Sequence, residues 1–210
     1  MAKLPEPPSI ESLRALGPQV HTLDPGALLW RIYYSGGDHP TVWNGFRAWG
    51  PSDSRFDHHE EPARLQDRQI LYAAAGRSAA LTTVAEVFQS TRLVERERGA
   101  PALTAFETGR ALRLLDLTGI WPTRAGASTA ICSGPRGRAR RWSRALYEAW
   151  GDLDGLLYSA SMNAGEPAVA LYERAKDALP EHPSFNRQLA DPLMLTMLKN
   201  ACRELNYLLE

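Results

Sequence analysis

An arginine stands in the middle of an apolar run. Ala27-Leu28-Leu29-Trp30-Arg31-Ile32-Tyr33-Tyr34 follows the turn Asp24-Pro25-Gly26 and reads as a buried strand. A guanidinium placed there needs a carboxylate, several carbonyls or a ligand anion. Its ordinary use is a buried ion pair; its chemical use is a clamp for phosphate or carboxylate, to which the planar fork is suited. Glu86 poses a similar question. It sits in a helical stretch between Val84, Ala85, Val87 and Phe88, where most glutamates are simply solvated, so alone it carries little weight. His58-His59-Glu60-Glu61 has the residue types of a metal cluster. Adjacent residues of a regular element point apart, however, and no second Cys/His pair stands at ligand spacing, so no metal is expected. His39 reads as a solvated or hydrogen-bonded loop histidine. Arginines 136, 138, 140, 141 and 144, with no acid among them, read as one solvated helix face; a nucleotide phosphate or an acidic partner would need only part of it. Neither G-x-G-x-x-G, nor G-x-x-x-x-G-K-[ST], nor a G-x-S-x-G elbow occurs, and neither Cys132 nor Cys202 has an obvious catalytic partner.

The elements that must position these residues follow from spacing. Met1 to Pro8 holds three prolines and reads as a frayed leader. Ile10, Leu13 and Leu16 mark a short helix, capped by Ser9 or Ser12 and stopped by Gly17-Pro18. From Ser35 to Arg68 no period is sustained, which predicts a long loop with at most short strands, ordered around Trp43, Phe46 and Trp49. Ile70 to Ala74 is a second strand. Ser78 then caps a helix with Leu81, Val84, Ala85, Val87 and Phe88 on its apolar face. Leu103 to Glu107 and Leu112 to Leu117 flank Thr108-Gly109-Arg110 as a hairpin. Trp142, Leu146 and Trp150 place a helix over Arg138 to Trp150, and Gly155 to Tyr158 with Ala168 to Tyr172 form another strand pair. Asp191 to Leu209 is the longest helix candidate. Strands and helices mix without βαβ alternation, so the expected class is α+β.

Composition bounds the function. The chain has 210 residues, 44% hydrophobic and 23% charged, as expected for one globular domain. Lys+Arg 24 against Asp+Glu 24 leaves a formal net charge of zero, so direct nucleic-acid binding is not expected. Two cysteines are too few for a disulfide framework, and neither a signal peptide nor a membrane-length apolar stretch occurs. The expected compartment is the cytoplasm.

Taken together, the pieces resemble the RES domain family, the toxin half of bacterial Xre–RES toxin–antitoxin pairs, from about Leu28 to Ala175. Leu29-Trp30-Arg31-Ile32 matches the strand with the family arginine, and Ser54-Arg55-Phe56-Asp57 matches its G-R-F-D loop. Leu71-Tyr72-Ala73-Ala74 and Ala85-Glu86-Val87-Phe88 match Y-x-A and A-x-x-E. Asp154 to Met162 matches the serine strand and Val169-Ala170-Leu171-Tyr172-Glu173 the close. Ser54 stands where the family has glycine. Ala160 stands two residues after the aromatic, where the serine usually falls, between Ser159 and Ser161. On one strand both serines face the same side, and Ser159 is favoured as nearer the strand's regular part.

The resemblance implies a mixed β core similar to ADP-ribosyltransferases at residues 27–175, a leader with a short helix at 1–26, and a C-terminal helical extension at 176–210 packed on the same domain. It also implies an NAD-degrading toxin acting by hydrolysis or phosphorolysis, with protein ADP-ribosylation or a catalytically decayed binding module as alternatives. Glu86 would stabilise the oxocarbenium-like ribose, Arg31 and Arg55 would bind the pyrophosphate, Tyr72 and Tyr33 would bind substrate, and Ser159 or Ser161 would orient ribose or phosphate. NAD is then a substrate and inorganic phosphate an optional co-substrate, with no separate cofactor or metal. The expected partner is an Xre-family antitoxin, forming an oligomer with the toxin.

Overall fold

The computed structural model describes residues 4–163 and 165–210; Met1 to Lys3 of the expected leader, and Ala164 in the turn expected after Ser161, lie outside them. In chain order the elements are α1 (Ile10–Leu16), β1 (Val20–Leu23), β2 (Leu28–Tyr34), β3 (Arg47–Gly50), β4 (Arg64–Ala74), α2 (Ala79–Val87), β5 (Leu93–Val94), β6 (Pro101–Glu107) and β7 (Leu112–Asp116). There follow α3 (Trp121–Arg124), α4 (Ala130–Ser133), α5 (Arg136–Ala149), β8 (Gly155–Ser159), β9 (Pro167–Tyr172), β10 (Phe185–Gln188), α6 (Leu195–Leu205) and β11 (Leu208–Leu209). Short 3-10 turns at Glu173–Ala178 and Pro192–Met194 lead into β10 and α6.

The apolar runs become the centre of a mixed sheet. β6, β8 and β9 are buried along nearly their whole length, as strands covered on both faces must be. Among the described residues nine strands join in the order β1-β7-β8-β9-β4-β2-β6-β10, with β3 paired to β4. β7 and β8 run parallel and the other neighbours antiparallel. Gly155 lets β8 lie close against β9, since a Cβ there would overlap the Ala170 carbonyl. The α+β class expected from the sequence is the one observed.

One seam in this sheet makes the site. β2 is registered with β6 from Leu28 to Tyr34 and β4 with β9 from Ile70 to Ala74, but β2 meets β4 only at Trp30 and Ala74. Strand parity puts Leu29, Leu71, Phe106, Leu112, Leu157 and Val169 on one face, beneath Trp43 and Phe46 of the loop. The other face carries two separate clusters. α1 and α5 cover β4, β8 and β9 through Leu13, Trp142, Leu146, Leu156 and Ala170. α2 and α6 cover β2 and β6 through Ile32, Val84, Phe88, Leu103 and Leu198. A cleft opens between the two clusters, where β2 and β4 part. No helix of the described residues is long and apolar enough to cross a membrane.

Several local expectations are corrected. β6 and β7 are not a hairpin: β6 lies between β2 and β10, and β7 between β1 and β8. Their connection is bound elsewhere, with Thr108 and Gly109 donating to the carbonyls of Ala27 and Ala178. Leu4 to Pro8 is docked, not frayed. Leu4 is only 6% exposed, Trp142 Nε1 donates to the Pro5 carbonyl at 2.8 Å, and Glu6 pairs with Arg138 and Arg141. β4 begins six residues before the expected Ile70, because Arg64 and Leu65 pair with β3 in a largely solvated arm with no apolar run to mark it. The segment after 175 adds a strand, β10, to the main sheet as well as a helix, and that helix ends where Asn206 turns left-handed at φ 54°.

Candidate active site

The cleft has a volume of about 590 Å³, within the roughly 300–1,000 Å³ usual for small-molecule sites. β2 supplies Arg31 and Tyr33, β4 supplies Tyr72, α2 supplies Glu86, the turn after it supplies Gln89, the loop before β4 supplies Arg55, and the turn after β8 supplies Ser161. Arg31, Tyr33, Arg55, Tyr72, Glu86 and Ser161, all singled out from sequence, therefore share one cleft. Ser159 does not line it. It is the last residue of β8, paired with Pro167, and its main chain lies against the Cys132 thiol.

Arg31 has no carboxylate partner among the described residues. Its Nη1 donates to the carbonyls of Trp43 and Gly45, each at 3.1 Å, while its buried Nε has no partner. Burial pushes its pKa down to about 10, which still leaves it charged at neutral pH. Among the described residues the buried Tyr72 hydroxyl has no acceptor; the Phe56 main chain lies beside it, and burial raises its pKa. Tyr33 is committed, its hydroxyl donating to Asn186 Oδ1 of β10 at 3.1 Å. Arg55 donates to the Gly134 carbonyl; burial first, and then the charge of Arg136, lower its pKa.

Glu86 is held by donors on both oxygens. Oε1 accepts from the Met162 backbone N–H at 2.9 Å and from the Ser161 hydroxyl at 3.2 Å. Oε2 accepts from Gln89 Nε2 at 3.3 Å, and the same nitrogen donates to the Glu86 carbonyl at 2.7 Å. The site thus joins an oriented carboxylate to cationic and phenolic donors that lack acceptors. That set suits a ligand with anionic oxygens on one side and a developing positive charge on the other.

Sequence reasoning did not single out Gln89, Tyr158, Cys132 or Arg47 as cleft residues. Gln89 was legible in principle, three positions after Glu86, in the turn that follows α2. Tyr158 packs on Phe56 with ring centroids 4.7 Å apart and also borders the cleft. Burial raises its pKa and that of Cys132. The arginine run is mostly tied down: Asp53 pairs with Arg136 and Arg140, and Glu6 with Arg138 and Arg141.

His58 and His59 anchor the loop outside the cleft. Asp57 accepts from His59 and its backbone N–H, from Ser52 and from Arg47. Burial works against its charge, yet those donors hold its carboxyl far below the usual range. His58 is fully buried and stacked on Tyr147 at 4.3 Å between centroids. Burial, with the neighbouring His59, pushes its pKa down to about 3, so it is neutral.

Comparison with known proteins gives two matches. The RES domain model matches residues 28–193. Among solved structures, a chain from the crystal structure of the M. tuberculosis MbcT–MbcA toxin–antitoxin complex superposes with a TM-score of 0.57 at 18% sequence identity, over 89% of this chain and 94% of that one. No curated protein matches.

Proposed function

The chain belongs to the RES domain family, and from that premise we propose that it is a toxin that cleaves the nicotinamide–ribose bond of NAD+ and is neutralised by a cognate antitoxin of the Xre type. The observation that carries the reading is a pair of buried donors without acceptors, Arg31 Nε–H and the Tyr72 hydroxyl. They share a cleft with a carboxylate whose two oxygens are held in place. Buried donors without acceptors are uncommon in folded proteins, and in this reading ligand oxygens are the acceptors they lack.

In this reading Arg31 and Arg55 bind the pyrophosphate and Tyr72 packs on the nicotinamide-bearing half. Tyr33, fixed by Asn186, walls that end, and Ser161 orients a ribose hydroxyl. When the C1′–N bond breaks, its electron pair passes to the pyridinium nitrogen, so nicotinamide leaves neutral and needs no general acid. The ribose carbon becomes oxocarbenium-like, and the Glu86 carboxylate stabilises that charge. Water adds at C1′ and releases a proton to give ADP-ribose; inorganic phosphate adding there gives the 1-phosphate. The fold neighbour comes from a toxin–antitoxin complex, which supports an antitoxin partner. The substrate pool would be cytoplasmic.

Incubating the purified protein with NAD+, with and without inorganic phosphate, tests the proposal. Free nicotinamide is expected, with ADP-ribose or its 1-phosphate as co-product. ADP-ribose retained on protein would shift the reading to transfer, and intact NAD+ would shift it to a binding module.

A further inference from the structure

Thr82 and Glu86 stand four residues apart on α2 and so share one side of the helix. The turn after β8 docks across both. Ser161 and Met162 bind Glu86 Oε1, and one residue further on Asn163 Nδ2 donates to Thr82 Oγ1 at 2.8 Å. Thr82 is fully buried. Its own hydroxyl donates to the Ser78 carbonyl at 3.0 Å, which leaves its lone pairs to Asn163. Backbone bonds brace the same turn, Glu166 N–H to the Asn163 carbonyl and Ala160 N–H to the Glu166 carbonyl, both at 2.8 Å. Asn163 does not line the cleft. Its amide therefore bears on the site only through where it holds the turn.

We propose that Asn163, bonded to Thr82, is a positioning residue that fixes the turn so that Ser161 and the Met162 N–H occupy Glu86 Oε1 and leave Oε2 to meet the reacting sugar. Two observations make the bond directional. The turn contacts α2 at two successive helical levels, so it cannot slide or pivot about Glu86 alone. Among the described residues Oε2 has only the longer Gln89 contact, which a ligand hydroxyl can replace. The kinetic half of this inference rests on the NAD+ reading; the docking half does not.

The test uses the whole chain with Asn163→Ala, Thr82→Val and Thr82→Ser. Steady-state NAD+ cleavage and hydrogen exchange of the Met162 amide are measured for each. A misplaced catalytic group costs rate more than binding, so Asn163→Ala and Thr82→Val should each lower kcat by about tenfold with KM within about twofold. Thr82→Ser, which keeps the hydroxyl, should return kcat to near wild type. Exchange at Met162 should speed up by about tenfold in the two impaired variants and not in Thr82→Ser. Wild-type kcat in both Asn163→Ala and Thr82→Val would overturn the proposal, as would a Thr82→Ser variant as impaired as Thr82→Val. If the wild-type protein leaves NAD+ intact while Met162 exchange responds as described, the NAD+ reading falls and the docking stands.

Discussion

Arg31 and Arg110 are treated in opposite ways: the Arg31 guanidinium is buried, whereas the Arg110 side chain remains 36% exposed. Arg110 is saturated. It forks onto both oxygens of Asp154 at 2.9 and 3.1 Å, reaches Asp177 at 2.6 and 3.0 Å, and donates to the carbonyls of Ala111 and Arg174. Asp177 first and Asp154 next raise its pKa. Among the described residues Arg31 has two carbonyls, no carboxylate and an idle Nε, and its pKa is lowered. A charge with its counterions built in belongs to the fold; a charge left short of them is poised for a ligand. The Arg110 knot and the Arg31 cleft should therefore fail differently when altered.

The sharpest way to separate them is through the cleft carboxylate. Glu86→Gln keeps the shape and removes the charge, so NAD+ cleavage should fall by roughly a hundredfold or more while the thermal midpoint stays close to wild type. Turnover within threefold of wild type would remove Glu86 from the chemistry. Asp154→Asn is the mirror experiment. Asp154 is nearly buried and also accepts the Arg113 N–H, so stability should drop by about 3 kcal/mol in urea titration, with the remaining folded molecules cleaving at the normal rate.

Acid should unfold the protein from a third place. His58 has its pKa lowered from 6.5 to about 3 by burial, so the folded state disfavours the proton that the unfolded chain takes up. Its contribution is intact above about pH 6.5 and is lost as pH falls toward 3, with roughly 2–3 kcal/mol gone at pH 4.5. Asp57, also held low, adds its own loss only below about pH 4. A His58→Phe variant should flatten the curve between pH 6.5 and 4.5; an unchanged curve would place the acid sensitivity elsewhere.

Smaller effects refine the cleft itself. Arg31→Lys keeps the charge and loses the fork, so turnover should drop by about tenfold with the fold intact. Unfolding with normal turnover in the soluble remainder would assign Arg31 to the same class as Arg110. Ser161→Ala removes one donor to Glu86 and should cost about fivefold in NAD+ cleavage, against less than about twofold for Ser159→Ala. The reverse order would restore Ser159 to the site.

How much of this could be read from the chain depends on what each signal measures. Arg31 announced itself because a guanidinium inside an apolar strand is energetically conspicuous, and the RES-like order of Arg55, Tyr72 and Glu86 brought the other side of the cleft. The serine was ambiguous for a physical reason. Alternation of faces holds only along a strand, β8 stops at Ser159, and past that point the turn aims Ser161 at Glu86. The β6–β7 hairpin was misread because nearness in sequence was taken for nearness in the sheet. The docked leader was hidden because its partners, Arg138, Arg141 and Trp142, lie far along the chain. Gln89 was missed because its interest lies in a contact with Glu86, not in its own type.

The single Trp30–Ala74 link between the halves of the sheet also has a mechanical meaning. Seven registered pairs join β2 to β6 and five join β4 to β9, but only one joins β2 to β4. A spreading force across the molecule would concentrate at that line, as load concentrates at a perforation. α2 is fastened across it, with Thr83 bonded to the Trp30 carbonyl on one side and Thr82 and Glu86 bonded to the turn after β8 on the other. The helix that carries the carboxylate is thus also the splint over the weakest joint, so the gape of the cleft and the aim of Glu86 form one elastic coordinate.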